Sequence, residues 1–211
     1  MPGEENDKAT AGQRGGKLEA YRGKRDLRRS GEPSGRSSGR RRRSGQPRFV
    51  VQQHDARTMH YDFRLEADGV LKSWSVPKGP SQDPADKRLA VQTEDHPLDY
   101  EDFEGVIPPG DYGAGPVIVW DAGTYDNETT DKSGSDISVA DAVGRGHVSF
   151  VLHGRKLRGG YSLTRFRSGR QPGWLLVKKA DPYADKAANP ERDRPESVKS
   201  GKDIGQLDGE K

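Results

Sequence analysis

The chain contains no cysteine, which removes disulfides, thiolate zinc sites and cysteine nucleophiles from its chemistry. Hydrophobic residues are also scarce, at 29% against 33% charged. Over 211 residues that balance supports one compact domain with substantial unfolded tails rather than two domains. No apolar run approaches the ~20 residues of a membrane-spanning helix, and Met1-Pro2-Gly3-Glu4-Glu5 lacks the apolar stretch of a signal peptide. The expectation is a cytoplasmic monomer with no membrane partner. No internal repeat is present at solenoid or propeller periods.

The charge that is present is unevenly spread. Residues 1–48 carry a net +8, residues 49–180 a net −3 and residues 181–211 a net −2, so the basic character resides in the N-terminal arm. Within that arm, Gly31 to Gln46 is built from Gly, Ser, Pro and Arg around Arg40-Arg41-Arg42-Arg43. A stretch without apolar periodicity cannot bury enough surface to offset chain entropy, and flexibility is expected. Such a run is often only a solvated segment, but four adjacent guanidiniums also suit a polyphosphate backbone. The polar tail from Asp181 onward is expected to be disordered, with a short helix near Ile204 to Leu207 as its one structured candidate. The domain plan is therefore a basic arm over 1–47, a folded domain over 48–180 and a polar tail over 181–211.

Between Arg48 and Lys179 short strand patterns alternate with Gly, Pro and Asp turns. Strands are expected near 48–53, 59–66, 70–76, 88–95, 116–121, 147–153, 160–166 and 173–179, with Asp68-Gly69 as a tight hairpin turn. The fold class that follows is mostly β: a small closed or partly closed barrel of about eight largely antiparallel strands with one or two short helices. One helix is expected over Ile137 to Val143, capped by Asp136 and ended by Gly144. A shorter one is expected over Leu18 to Arg22. Trp74, Trp120 and Trp174 fall on strands and are expected in the core.

The chemistry concentrates in Gln53-His54-Asp55-Ala56-Arg57-Thr58-Met59-His60-Tyr61-Asp62-Phe63-Arg64. On a strand, His60, Asp62, Arg64 and Glu66 share one face while Tyr61, Phe63 and Leu65 share the other. One face can then enter a core while the other presents two imidazoles, a carboxylate and a guanidinium. Each residue alone is more often a solvated or hydrogen-bonded side chain than a ligand. Together, His54, His60 and Asp62 make a donor set suited to manganese, iron, cobalt or zinc rather than to magnesium or calcium. Three protein ligands leave positions open for substrate or water, the arrangement of a catalytic site. The run Glu104 to Gly115 is rich in glycine but lacks the Lys-Ser/Thr ending of a P-loop, and a turn is the better reading. His96 and Tyr100 read equally well as a turn histidine and a half-buried aromatic.

A longer likeness runs through these residues. Arg48-Phe49-Val50-Val51-Gln52-Gln53-His54-Asp55, His60-Tyr61-Asp62-Phe63-Arg64-Leu65-Glu66, Lys72-Ser73-Trp74-Ser75-Val76-Pro77-Lys78-Gly79-Pro80, Glu94-Asp95-His96-Pro97-Leu98-Asp99-Tyr100 and Gly173-Trp174-Leu175-Leu176-Val177-Lys178-Lys179 together resemble the 3′-phosphoesterase domain of bacterial DNA ligase D. The resemblance covers nearly all of residues 48–180 in order. It implies a manganese-dependent hydrolase that removes 3′-terminal ribonucleotides and 3′-phosphates from primer-template DNA, leaving 3′-hydroxyl ends in non-homologous end joining. Carried over residue by residue, it implies His54, His60 and Asp62 as metal ligands. Arg64, His96 and Tyr100 would surround the scissile phosphate, with His96 best suited to protonate a leaving oxygen, and Gln52, Lys78, Arg88 and Glu94 would lie in or around the site. Tyr21-Arg22-Gly23-Lys24-Arg25-Asp26 with Glu32-Pro33 resembles the segment that supplies Arg25, Asp26 and Glu32. Implied partners are DNA 3′ ends, a separate ATP-dependent DNA ligase, a repair polymerase and a Ku-type end-binding protein, at the nucleoid. No Lys-x-Asp-Gly adenylation motif and no Asp-x-Asp polymerase pair are found, so the expectation is a stand-alone phosphoesterase. Two other classes fit parts of the pattern: a catalytically weak adaptor that docks on DNA or a ligase, and an iron oxygenase built on a two-His, one-carboxylate triad.

Overall fold

The computed structural model describes residues 16–35 and 45–207; the arginine run Arg40 to Arg43 lies outside them. Nine strands follow in chain order: β1 (Arg48–Asp55), β2 (Met59–Ala67), β3 (Val70–Val76), β4 (Arg88–Gln92), β5 (Gly105–Ile107), β6 (Gly115–Asn127), β7 (His147–Gly154), β8 (Arg158–Arg167) and β9 (Gly173–Lys178). Every pairing is antiparallel. Eight strands close into a barrel in the order β1-β2-β3-β4-β9-β8-β7-β6, sealed by β6 against β1, and β5 is an extra strand on the edge of β6 outside the ring. Closure leaves no free edge in the ring. The β2–β3 connection is the expected two-residue hairpin: Ala67 pairs with Val70, and Asp68 and Gly69 both take positive φ, 52° and 77°. Positive φ at both positions matches the strand twist and favours the Asp-Gly pair.

The barrel interior follows from alternation. Phe49 and Val51 of β1, Tyr61, Phe63 and Leu65 of β2, and Trp74 and Val76 of β3 point inward and are buried with Trp120, Phe150, Tyr161, Leu163, Trp174 and Leu176. Phe63 packs 5.7 Å from Phe150 and 6.4 Å from Phe49 between ring centroids, and Trp74 meets Trp174 edge-on at 5.7 Å. Each such ring contributes about 2–3 kcal/mol through burial. The opposite face of β1–β2–β3 is also covered. A second cluster of Tyr21, Val50, Leu71, Tyr100 and Val119 lies there, where the N-terminal segment and a 3₁₀ turn at Leu98–Asp102 pack against the outside of the wall.

Among the described residues four short α-helices accompany the strands: α1 (Glu19–Gly23), α2 (Val139–Arg145), α3 (Pro190–Asp193) and α4 (Ile204–Leu207). Helix α2 starts later than the sequence predicts. Its cap is Ser138, whose hydroxyl accepts from the Asp141 amide at 3.1 Å, and it runs through Gly144 to end at Gly146 in the left-handed conformation (φ 89°). Asp136 is held instead in a bridge with Thr130. Composition alone predicts disorder from Asp181 onward, yet residues 181–207 lie along the barrel. Main-chain groups fasten them: the Arg194 carbonyl accepts from the Trp120 indole (3.0 Å) and the Lys156 ammonium (2.7 Å), and the Val198 amide donates to Val119 O (2.9 Å). Among the described residues no helix is long and apolar enough to cross a membrane.

Candidate metal and phosphate site

The site lies on the outside of the barrel wall. In the β1–β2 register His54 faces His60, Gln52 faces Asp62 and Val50 faces Arg64. Across to β3, Asp62 faces Ser75 and Arg64 faces Ser73. Directly opposed residues in an antiparallel pair share a face, so His54, His60, Asp62 and Arg64 form one outward patch while the residues between them fill the core. Their donor atoms come together closely. One atom from each of His54, His60 and Asp62 lies within 4.8 Å of the others, with His54 Nδ1 3.6 Å from Asp62 Oδ2 and His60 Nε2 3.6 Å from Asp62 Oδ1.

The outer nitrogen of each ring is fixed by backbone. His54 Nε2 donates to Gly113 O at 2.7 Å and His60 Nδ1 donates to Thr58 O at 2.9 Å. A carbonyl only accepts, so these bonds place the protons on the outer nitrogens and leave His54 Nδ1 and His60 Nε2 as lone pairs facing the carboxylate. Metal-binding histidines are oriented in this way by their second nitrogen. Burial by itself would raise the Asp62 carboxyl, but the Arg64 guanidinium beside it holds it well below the usual carboxylate range. Two lone pairs and an ionised carboxylate fit a divalent transition metal.

Around this set runs a shell of cations and their partners. Arg64, almost fully buried, donates from Nε to Gln52 Oε1 (2.9 Å), from one terminal nitrogen to Ser73 Oγ (2.8 Å) and from the other to Asp62 Oδ2 (3.0 Å). A guanidinium carries five N–H groups, so one remains on each terminal nitrogen. Arg25 of the N-terminal segment pairs with Glu32 (2.9 Å) and Glu94 (2.8 Å), stacks 4.2 Å from the Tyr21 ring centre and donates to His96 Nε2 at 3.2 Å. Tyr100 donates its hydroxyl to Glu32 Oε1 at 2.8 Å, and burial with the Glu32 charge holds the phenol well above its ordinary range.

His96 is held between Glu94 and Arg25. Its Nδ1 donates to Glu94 O (2.9 Å), its Nε2 accepts from Arg25, and burial together with Arg64 and Arg25 pushes the imidazole well below its ordinary pKa. Both ring nitrogens are thus engaged within the protein.

A cavity of about 750 Å³ opens over these groups. It is lined by eight of the thirteen residues singled out in the sequence: Arg25, His54, His60, Asp62, Arg64, Glu94, His96 and Tyr100. Gln52 and Glu32 support the lining from behind. Gln52 is fully buried and ties Arg64 to the carbonyls of Tyr100 (2.9 Å) and Phe103 (3.0 Å). Asp26 is exposed, outside the cavity lining, and accepts from the Arg28 amide. Lys78 and Arg88 are not brought to the cavity either. The Arg88 guanidinium binds Lys78 O (3.0 Å) and Asp86 (2.9 Å), because both residues lie where β3 leaves the sheet and β4 enters it. Sequence reasoning missed Ser75, Thr93, Arg57 and the loop residues Asp111 to Ala114, all of which line the cavity. The glycine-rich run set aside as a plain turn carries that loop. Gly113 has φ +77°, and a Cβ there would meet His54 Cε1 at 3.2 Å, so both the conformation and the close approach favour glycine.

Fold and site together define a class: closed β-barrel proteins that carry a two-imidazole, one-carboxylate donor set among guanidiniums on the outside of the wall. Comparison with known proteins gives the family. Residues 52–165 match the DNA ligase D 3′-phosphoesterase domain. The chain is 50% identical over 196 residues to the multifunctional non-homologous end joining protein LigD of Pseudomonas aeruginosa, covering 92% of this chain and 22% of that protein. It is 50% identical over 127 residues to the corresponding DNA repair protein of Mycobacterium tuberculosis, covering 60% and 15%. With LigD of Mycolicibacterium smegmatis it shares 39% identity over 175 residues, covering 83% and 22%. The chain belongs to the DNA ligase D 3′-phosphoesterase domain family and spans 15–22% of the length of these relatives.

Proposed function

We propose that this chain is a metal-dependent hydrolase that heals DNA 3′ ends for non-homologous end joining. It would remove a 3′-terminal ribonucleotide and then the 3′-phosphate, leaving a 3′-hydroxyl. The observation that carries this reading is the pairing of His54 Nδ1, His60 Nε2 and an ionised Asp62 with the buried guanidiniums of Arg64 and Arg25 around one cavity. Family membership adds the phosphoester and the nucleic-acid end. His54, His60 and Asp62 would hold the metal, manganese by preference, with cobalt or zinc compatible with the same donors. Bound there, the metal supplies charge neutralisation for a phosphoryl oxygen and lowers the pKa of water.

The protein's own side chains do the rest. The two N–H groups left on Arg64 donate to non-bridging oxygens, where negative charge accumulates as water adds to phosphorus. In the first step the bond from phosphorus to the 5′ oxygen of the terminal ribonucleoside breaks and the strand keeps its 3′-phosphate. In the second the bond from phosphorus to the 3′ oxygen breaks and the strand leaves as a 3′-hydroxyl, and in each step the proton lost by the attacking water balances the one taken up by the leaving oxygen. Arg25 is held ready by Glu32 and Glu94 and adds a second positive charge at the rim. His96 and Tyr100 serve as neutral groups that shape the cavity wall and position Arg25 and Glu32. Such an enzyme would work at the nucleoid beside a DNA ligase, a repair polymerase and a Ku-type end-binding protein.

The test is a primer-template with a single 3′-terminal ribonucleotide, incubated with and without manganese. Loss of the ribonucleotide followed by release of inorganic phosphate is expected, with both steps abolished in His60→Ala. DNA binding without turnover by a folded, manganese-loaded protein would defeat the proposal and favour an adaptor.

A further inference from the structure

Among the described residues four large apolar or aromatic side chains are well exposed: Leu89, Tyr112, Phe166 and Tyr183. Of these, Tyr112 alone lines the cavity that holds the metal donors. It is 51% exposed, whereas Tyr21 and Tyr100 in the same neighbourhood are almost fully buried. An aromatic ring kept in water at the rim of a cationic cavity is a surface without an apolar partner among the described residues.

The loop that carries it is anchored on both sides. Asp111 is paired with Arg29, whose Nε donates to its carboxylate at 3.1 Å, and Gly113 O accepts from the metal-side imidazole of His54 at 2.7 Å. Two backbone bonds, Asp111 N to Pro108 O (3.2 Å) and Ala114 N to Asp111 O (3.1 Å), close the turn itself. Tyr112 therefore stands between two fixed residues, one of which touches a candidate metal ligand. Two cations lie against its ring, with Lys24 Nζ 5.0 Å and the Arg25 guanidinium carbon 5.3 Å from the ring centre. Both are in turn paired with Glu94, so the ring is steadied by two cations that share one carboxylate while about half of the residue stays open.

We propose that Tyr112 forms a nucleobase-stacking subsite at the rim of the cavity, receiving the terminal nucleoside whose 3′ phosphate sits over His54, His60, Asp62 and Arg64. This rests on the reading of the site given under Proposed function and names the part of the substrate beyond the phosphate. Single-strand-binding proteins pair a cationic groove with aromatic platforms in the same way, and stacking is tolerant of sequence because every base has a π face. The subsite would select for the presence of a base without selecting which base.

The test reads binding before turnover. A primer-template ending in 3′-phosphorylated 2-aminopurine is titrated, without divalent metal, with wild type, Tyr112→Ala and Tyr112→Phe. Quenching of the terminal base is expected with wild type and with Tyr112→Phe, which keeps the ring. In Tyr112→Ala the quench should vanish and binding weaken about tenfold. With manganese, the ratio of kcat/KM for a base-bearing over an abasic 3′-phosphate end should fall about tenfold in Tyr112→Ala. An unquenched wild-type complex, or a quench and ratio unchanged in Tyr112→Ala, overturns the subsite. Absence of manganese-dependent phosphate release by wild type defeats the proposed function instead, and the quench then decides the subsite by itself.

Discussion

The two faces of β2 are built from alternating residues of the same strand and face opposite demands. Tyr61, Phe63 and Leu65 enter a barrel interior of aromatic and aliphatic groups. His60, Asp62 and Arg64 face outward and are still largely enclosed, because α1, the 3₁₀ turn and the loop of Asp111 to Ala114 are laid over them. A barrel wall needs only one apolar face to be stable, so the other is free to carry polar groups provided each finds a partner. Substitutions one position apart should therefore separate stability from chemistry.

That contrast can be broken or sharpened in four ways. Phe63→Ala should have the largest effect, a loss of about 3–5 kcal/mol read by urea unfolding, because the ring is fully buried between Phe49 and Phe150. A loss below about 1 kcal/mol would show that the interior is not close-packed. His60→Ala is next: manganese-dependent phosphate release should fall at least ~100-fold, equivalent to about 2.7 kcal/mol of barrel-independent chemistry. Its melting temperature should move by less than about 4 °C, since the imidazole is partly exposed. A large drop in stability would erase the division between the faces. Gly113→Ala should weaken manganese binding about tenfold by calorimetry, through strain at φ +77° and pressure on His54; unchanged affinity would mean that the Gly113 carbonyl does not orient the ligand. The smallest effect is expected outside the barrel. Replacing Arg40 to Arg43 with serine should flatten the salt dependence of DNA binding, by up to about 0.9 in the log-log slope per lost phosphate contact. Hydrolysis of a small phosphate ester should not follow it.

Alternation made β1 to β3 legible, and with them the donor set, because His54, His60 and Asp62 are local and share the wall's outer face. β5 was hidden: Gly105-Val106-Ile107 is three residues inside a Gly- and Pro-rich run and pairs only at the edge of β6. The strand expected over 116–121 continues to Asn127, its second half held by β1 through Thr124 and by β7 from Gly123 onward. Helix α2 begins at Val139 because the hydroxyl of Ser138, and not the Asp136 carboxylate, accepts from the first-turn amide of Asp141. The partners that tune the site are mostly backbone carbonyls or distant residues, such as Gly113 O on His54 and Arg25 on His96. A carbonyl carries no residue identity, which is why composition could not point to it. The order of residues 181–207 escaped notice for the same reason: the Arg194 carbonyl, not an apolar stripe, holds Trp120 and Lys156.

The N-terminal segment contributes Arg25 and Glu32 to the site, yet twelve residues, 36–47, are all that join Gly35 to the first strand of the barrel. A connection that short maintains a local concentration on the order of millimolar at its docking place. Completion of the cavity wall is thus a first-order event set by tether length, indifferent to how much protein is present. Breaking the chain anywhere between that segment and β1 would turn it into a second-order one, and the severed piece would compete for its place with dilution.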